Sequence, residues 1–158
     1  MKLYIKQRVL SVLDNYNIFD EYNNIIYTVK GRLSVGHKLE IYDISGNCIA
    51  TIREQLMTFS PKFKIYVNDQ YMGCFYRKPF SVIPEYRFDF NDWFVKGNII
   101  GTRYTIYVSK REIAIVNKKI LRPSDCYEID VKNQSDVLYT LIVVLAIDAE
   151  NCTANKAN

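Results

Sequence analysis

Apolar and polar residues alternate through most of the first 131 positions, and turn residues break the alternation at short, regular intervals. Period-two runs of this kind read as half-buried β-strands. They place about twelve strands, near residues 3–8, 15–20, 25–31, 38–43, 48–54, 62–67, 71–77, 85–90, 92–97, 102–109, 112–119 and 125–131. At Val137 the alternation stops. The run VLYTLIVVLAI, to Ile147, is apolar on every side except at Thr140, and Ser135 and Asp136 before it are suited to cap a helix. A helix that is apolar all round must be buried all round. Its eleven residues fall well short of the roughly 20 that cross a bilayer, so the run is a core element and not an anchor.

The strands repeat. IFDEYNNIIYTV from Ile18 can be laid on IYDISGNCIATI from Ile41 almost residue for residue, and each reads as a hairpin with its turn at Tyr22-Asn23-Asn24 or Ser45-Gly46-Asn47. Looser copies begin at Ile65 and Ile106. Between hairpins a second pattern recurs: a returning strand passes a basic residue, turns a corner and enters an aromatic strand. Its four copies run Val29 to Ile41, Ile52 to Ile65, Phe75 to Phe88 and Val116 to Ile129, with 12 or 13 positions between their ends. Pro61, Pro84 and Pro123 fall at or near these bends, where a missing N–H removes no ladder hydrogen bond.

Short connections favour antiparallel neighbours, and closing the sheet removes its exposed edges. Eight strands enclose only side chains, whereas about twelve leave an interior near the 10–12 Å width of a helix. The expected fold is therefore all-β with one helix: a closed antiparallel barrel around a buried C-terminal helix, spanning 1–150, with a polar tail at 151–158. Composition agrees. Thirteen Tyr and eight Phe stand against six Gly and four Pro, and charged residues make up 24%, which suits pleated strands and disfavours disorder. The N-terminus MKLYIKQRV has Lys2, Lys6 and Arg8 among its apolar residues and no continuous apolar h-region, so a cytoplasmic location, peripheral to a membrane at most, is expected. Cys48, Cys74, Cys126 and Cys152 are far apart without a C-x-x-C pair, so neither metal nor disulfide framework is expected.

The opening MKLYIKQRV, the segments IFDEYNNIIYTVKG and KLEIYDISGNCIATI, the later CYEIDV and the ending LIVVLAIDA resemble the LURP-one-related family over nearly the whole chain. Its members have the tubby-like C-terminal fold also proposed for phospholipid scramblases. The resemblance implies a twelve-stranded barrel around a hydrophobic helix. Plant relatives look like defence-associated proteins, and tubby proteins bind phosphoinositides. The Pro-rich extension, cysteine-rich tract and exit segment of scramblase-like members have no counterpart here, so scrambling is not expected.

No residue constellation specifies a reaction. His37, the sole histidine, sits in a corner and reads as a turn residue. Asp89 and Asp92 flank a tight turn before Trp93, which turn chemistry explains more simply than paired acid–base work. Asp43, Ser45 and Asn47, with Glu54 at position twelve, mimic a calcium loop by number, but no helix follows, so the segment reads as a hairpin. Asp148 and Glu150 come after the apolar run, at the end where the helix dipole disfavours negative charge, and call for a partner: a basic residue of the barrel rim, or a bound cation as in scramblase-like relatives.

If strands alternate in direction, all hairpins share one end of the barrel and all corners the other. The corner end then collects basic residues, and the hairpin end acidic ones. The net charge of +4 is mild for a nucleic-acid binder. The expected function is a non-catalytic binding module without cofactor, a monomer whose basic rim meets anionic phospholipids. The anion-binding residues are Arg77, Lys78, Lys118, Lys119 and Arg122. The alternatives are a nucleic-acid or protein-interaction scaffold, and an enzyme using a rim cleft.

Overall fold

The computed structural model describes residues 1–5, 15–32, 34, 36–80, 84–89, 91–98, 102–121 and 124–154. Among these, twelve strands run in chain order: β1 (Lys2–Ile5), β2 (Asn15–Phe19), β3 (Ile25–Arg32), β4 (Lys38–Tyr42), β5 (Cys48–Glu54), β6 (Lys62–Val67), β7 (Gln70–Arg77), β8 (Tyr86–Phe88), β9 (Trp93–Asn98), β10 (Arg103–Val108), β11 (Arg111–Leu121) and β12 (Ser124–Val131). Each pairs antiparallel with its neighbours in sequence, and β1 pairs with β12 to close the barrel. A turn of 3-10 helix, Gln134–Asp136, leads into α1 (Val137–Ala154).

The hairpin repeat has a structural basis. The register shifts by one residue at Ile18/Phe19, Ile41/Tyr42, Ile65/Tyr66 and Ile106/Tyr107, so each copy carries a bulge at the same dipeptide. The first two turns are also built alike. Asp20 Oδ1 accepts from the backbone N–H of Tyr22 at 2.9 Å and of Asn24 at 2.8 Å; Asp43 Oδ1 accepts from Ser45 at 2.9 Å and Asn47 at 2.8 Å. Asn23 (φ 67°) and Gly46 (φ 83°) take the matching left-handed positions. Asp43 thus spends its oxygens on its own turn, as the hairpin reading of the calcium-like spacing expects.

Alternation fills the interior in layers. Ile18, Ile41, Ile65, Phe88, Ile106 and Ile129 point inward from the even-numbered strands and are buried, and Leu141 to Ala146 of α1 are buried against the barrel lining. The helix enters at the hairpin end, where its Tyr139 meets Trp93 at 6.2 Å between ring centroids, and runs toward the corners. It is longer than the sequence reading: it continues past Ile147 through Ala154, taking in the first four residues of the expected tail 151–158. No Gly or Pro stops it there, and the barrel wall supplies partners for Asp148 and Glu150. Strand β8 is shorter than expected and β11 longer. Among the described residues no helix is long and apolar enough to cross a membrane.

Candidate functional site

The corner end is where sequence patterning brings polar chemistry into the barrel. The innermost positions there, at the starts of the even-numbered strands, are Tyr16, Leu39, Phe63, Tyr86, Tyr104 and Tyr127, all buried. Four of the six are tyrosines, and the last turns of α1 place Asp148 and Glu150 among them, both nearly buried. Tyr127 donates its hydroxyl proton to Asp148. Arg77, two residues beyond the inward Phe75 on β7, reaches Glu150 with Nη1 to Oε1 at 3.3 Å. Thus Asp148 and Glu150 lie inside the helix instead of following it; Arg77 is the rim cation for Glu150, whereas Asp148 has the Tyr127 hydroxyl.

Burial pushes the Glu150 carboxyl above its ordinary value, against the opposing pull of the Tyr86 hydroxyl and the Arg77 guanidinium. Burial likewise raises Tyr86, with the Glu150 charge adding to it, and Tyr104, with Asp148 and then Tyr86 adding to it. The arrangement closes the corner end around the helix with buried hydroxyls and carboxylates.

Of the five residues read as anion-binding, the structure brings four to the corner end, as two pairs on strands separated by β8, β9 and β10; Arg122 lies outside the described residues. Within each pair, adjacent residues face opposite ways. Arg77 and Lys118 lean inward over the helix end, Arg77 onto Glu150 and Lys118 over the Tyr127 ring at 5.3 Å. Lys78 and Lys119 lie on the outer wall, with Glu85 at 3.3 Å and Glu128 at 3.5 Å. The four therefore share an end without forming one cluster.

The outer wall shows how charge is divided along the barrel. Glu40 is shared by Arg32 at 2.7 Å and Lys38 at 2.7 Å, and Glu85 by Lys78 and Arg87. Farther down, Glu128 is shared by Lys2 and Lys119. At the hairpin end the ratio reverses, with Lys132 between Glu112 at 3.3 Å and Asp130 at 3.0 Å. The basic end is also the C-terminal end of α1, the sign its dipole favours.

The other candidates take structural places. His37 holds Glu54, with Nδ1 at 2.9 Å and its own backbone N–H at 2.9 Å from Oε2, pinning the β3–β4 corner to β5. Asp89 accepts from the Cys74 backbone N–H at 2.6 Å, and Asp92 takes a left-handed turn position at φ 55°. Cys48, Cys74 and Cys126 are free thiols, and among the described residues no three His, Cys, Asp or Glu side chains group as metal ligands. The sequence reading missed the tyrosine layer. Its signal was present: each aromatic strand entered from a corner begins with an inward residue in the same register, and residues 148 and 150 follow the apolar run at helical spacing.

A closed twelve-stranded antiparallel barrel around a C-terminal helix is a tubby-like barrel. The chain belongs to the LURP-one-related family, whose model matches residues 1–148. It is 24% identical over 149 residues to the uncharacterized protein YxjI of Bacillus subtilis (strain 168), covering 94% of this chain and 92% of that one. In fold it is similar to the X-ray structure of a protein from Arabidopsis thaliana, with a TM-score of 0.56 at 15% identity, covering 90% of this chain and 89% of that one.

Proposed function

We propose that the protein is a non-catalytic binding module whose corner end recognises anionic phospholipid headgroups. The observation that carries this reading is the sharing of corner-end carboxylates, Glu40 and Glu85, each between two cations, which leaves that end with an excess of positive charge. A helix filling the interior supports binding over catalysis. Each Lys or Arg near an anionic membrane contributes about 1 kcal/mol, an attraction that fades within a Debye length, so binding is weak and salt-sensitive.

Sedimentation with phosphatidylcholine vesicles, with and without phosphatidylserine, tests it. Binding is expected with phosphatidylserine at low ionic strength. Replacing Lys78, Lys118 and Lys119 by Gln is expected to weaken it roughly fivefold per charge, with little change in melting temperature. Equal binding to neutral vesicles, or unchanged binding after the replacements, overturns the reading. Salt-dependent binding to an oligonucleotide in place of vesicles assigns the end to nucleic acid instead.

A further inference from the structure

Two loops at the corner end carry large apolar side chains into solvent: Phe59 is 98% exposed, Phe80 is 93% exposed, and Met57, in the same loop as Phe59, is fully exposed. The first of these loops is held by its own hydrogen bonds. The Thr58 hydroxyl lies 3.1 Å from the Gln55 carbonyl and 2.8 Å from that of Ser60, drawing the loop in on itself. Leu56 sits over Gly36, where a Cβ would stand 3.0 Å from Leu56 Cδ2. The Ser60 hydroxyl donates to the Arg77 carbonyl at 2.7 Å and the Arg77 N–H to the Pro61 carbonyl at 3.1 Å, which fastens this loop to the start of the next. Leu56, 44% exposed, leans on Gly36, and the Thr58 hydroxyl is bonded back onto the loop, while the Met57 and Phe59 side chains stand out in solvent. Met57 (φ 59°) and Phe80 (φ 62°) hold left-handed backbone, which costs a non-glycine residue energy. Between the loops lies a groove lined by Phe59, Pro61, Arg77, Lys78 and Phe80.

We infer that Met57, Phe59 and Phe80 are membrane-inserting prongs: they enter the acyl boundary of an anionic bilayer while Lys78, in the groove between the two loops, meets headgroup phosphates. The inference rests on the headgroup reading above and adds to it an apolar contribution and an orientation, with the barrel standing on its corner end. The tips flank a cationic groove instead of joining into one apolar face. That arrangement fits a surface offering negative charge at one depth and hydrocarbon a few ångströms deeper. The hairpin end supplies the contrast. Tyr22 and Ile44 are also exposed there, but beside Asp20 and Asp43, whose carboxylates an anionic surface repels.

Phe59→Trp and Phe80→Trp report the depth of each loop, because the native Trp93 is only 6% exposed near the hairpin end and gives a constant background. With phosphatidylserine-containing vesicles whose acyl chains are brominated near the headgroup, both emissions are expected to shift to the blue and be quenched. Ile44→Trp is expected to do neither. Replacing Phe59 and Phe80 by Ser is expected to lower partitioning roughly tenfold per residue, a loss that persists in high salt, with the melting temperature unchanged. Sedimentation of the unaltered protein without quenching of either reporter overturns the prongs and leaves the headgroup reading standing. Absence of sedimentation with anionic vesicles overturns both. A blue shift that needs no vesicles and follows protein concentration assigns the patch to a second copy of the chain, and quenching of Ile44→Trp in place of the others reverses the orientation; each overturns the inference.

Discussion

The guanidinium of Arg77 lies 3.3 Å from the carboxylate of Glu150 and so ties β7 to the last turns of the helix that fills the barrel. The carboxylate is nearly buried whereas the guanidinium side is more than a third exposed. The two partners are therefore unequal: Arg77 without Glu150 still has water, but Glu150 without Arg77 has only the Tyr86 hydroxyl beside a buried charge.

Arg77→Ala is accordingly expected to destabilise the protein near neutral pH, and Glu150→Gln to relieve most of that loss when added to it. The Glu150 carboxyl is raised in the folded state, so the folded protein holds that proton more tightly than the unfolded chain. Its contribution disfavours folding above the raised value and is relieved as pH falls from there toward the ordinary 4.5. Thermal melts across that window are expected to show a gain on acidification that Glu150→Gln abolishes. Parallel profiles for the two proteins would count against the assignment.

Gly97 sits opposite Tyr104 in the β9–β10 ladder with φ 122°, and a Cβ there would stand 2.9 Å from Tyr104 Cα and 3.0 Å from the Arg103 carbonyl oxygen. Backbone atoms cannot swing aside as a side chain does. Gly97→Ala is expected to cost about 1–3 kcal/mol, read as a lowered denaturation midpoint. Gly46→Ala is expected to cost less: its φ is 83°, but nothing lies within 4 Å of an added Cβ.

The barrel was legible because its logic is local. Period-two runs marked the strands, the four Ile-Phe and Ile-Tyr dipeptides marked what prove to be four equivalent bulges, and the one run apolar on all sides marked the helix. What sequence does not display is which residues of different strands share a layer. Tyr16, Tyr86, Tyr104 and Tyr127 lie far apart in sequence and meet only because the barrel closes. The end of the helix was misjudged for a related reason: Asp148 and Glu150 read as residues after the helix in need of a partner, and only the closed barrel places Tyr127 and Arg77 beside them within it. Arg77 and Lys78 looked like one basic patch, yet alternation sends neighbours to opposite faces of the wall.

Acid weakening should have a separate origin on the outer wall. Burial pushes Glu40 up, but the hydrogen bonds from Lys38, Arg32 and Tyr42 outweigh it and hold the carboxyl at about 2. A lowered carboxyl contributes stability that is fully present above the ordinary 4.5 and is lost as pH falls from there to about 2. Glu40→Gln is expected to be less stable than the unaltered protein at neutral pH and to lose less on acidification through that range. Identical acid limbs in chemical denaturation would refute the role given to Glu40.

The helix makes the sharpest demand on the core. Leu141 and Val144 are buried against the barrel lining, and a carboxylate at either place has no cation within a layer built of Ile, Val and Phe. Leu141→Asp or Val144→Asp is therefore expected to abolish soluble, cooperatively folded protein, as befits a charge stranded in an apolar interior. Thr140 tests the same interior with the opposite sign. Its hydroxyl is fully buried and has no hydrogen-bond partner among the described residues. Thr140→Val keeps the shape of the side chain and removes the unsatisfied oxygen, so it is expected to stabilise the domain by about 1–3 kcal/mol. A valine variant that melts lower than the unaltered protein would mean that the hydroxyl is satisfied in solution, and that the barrel admits water around its helix.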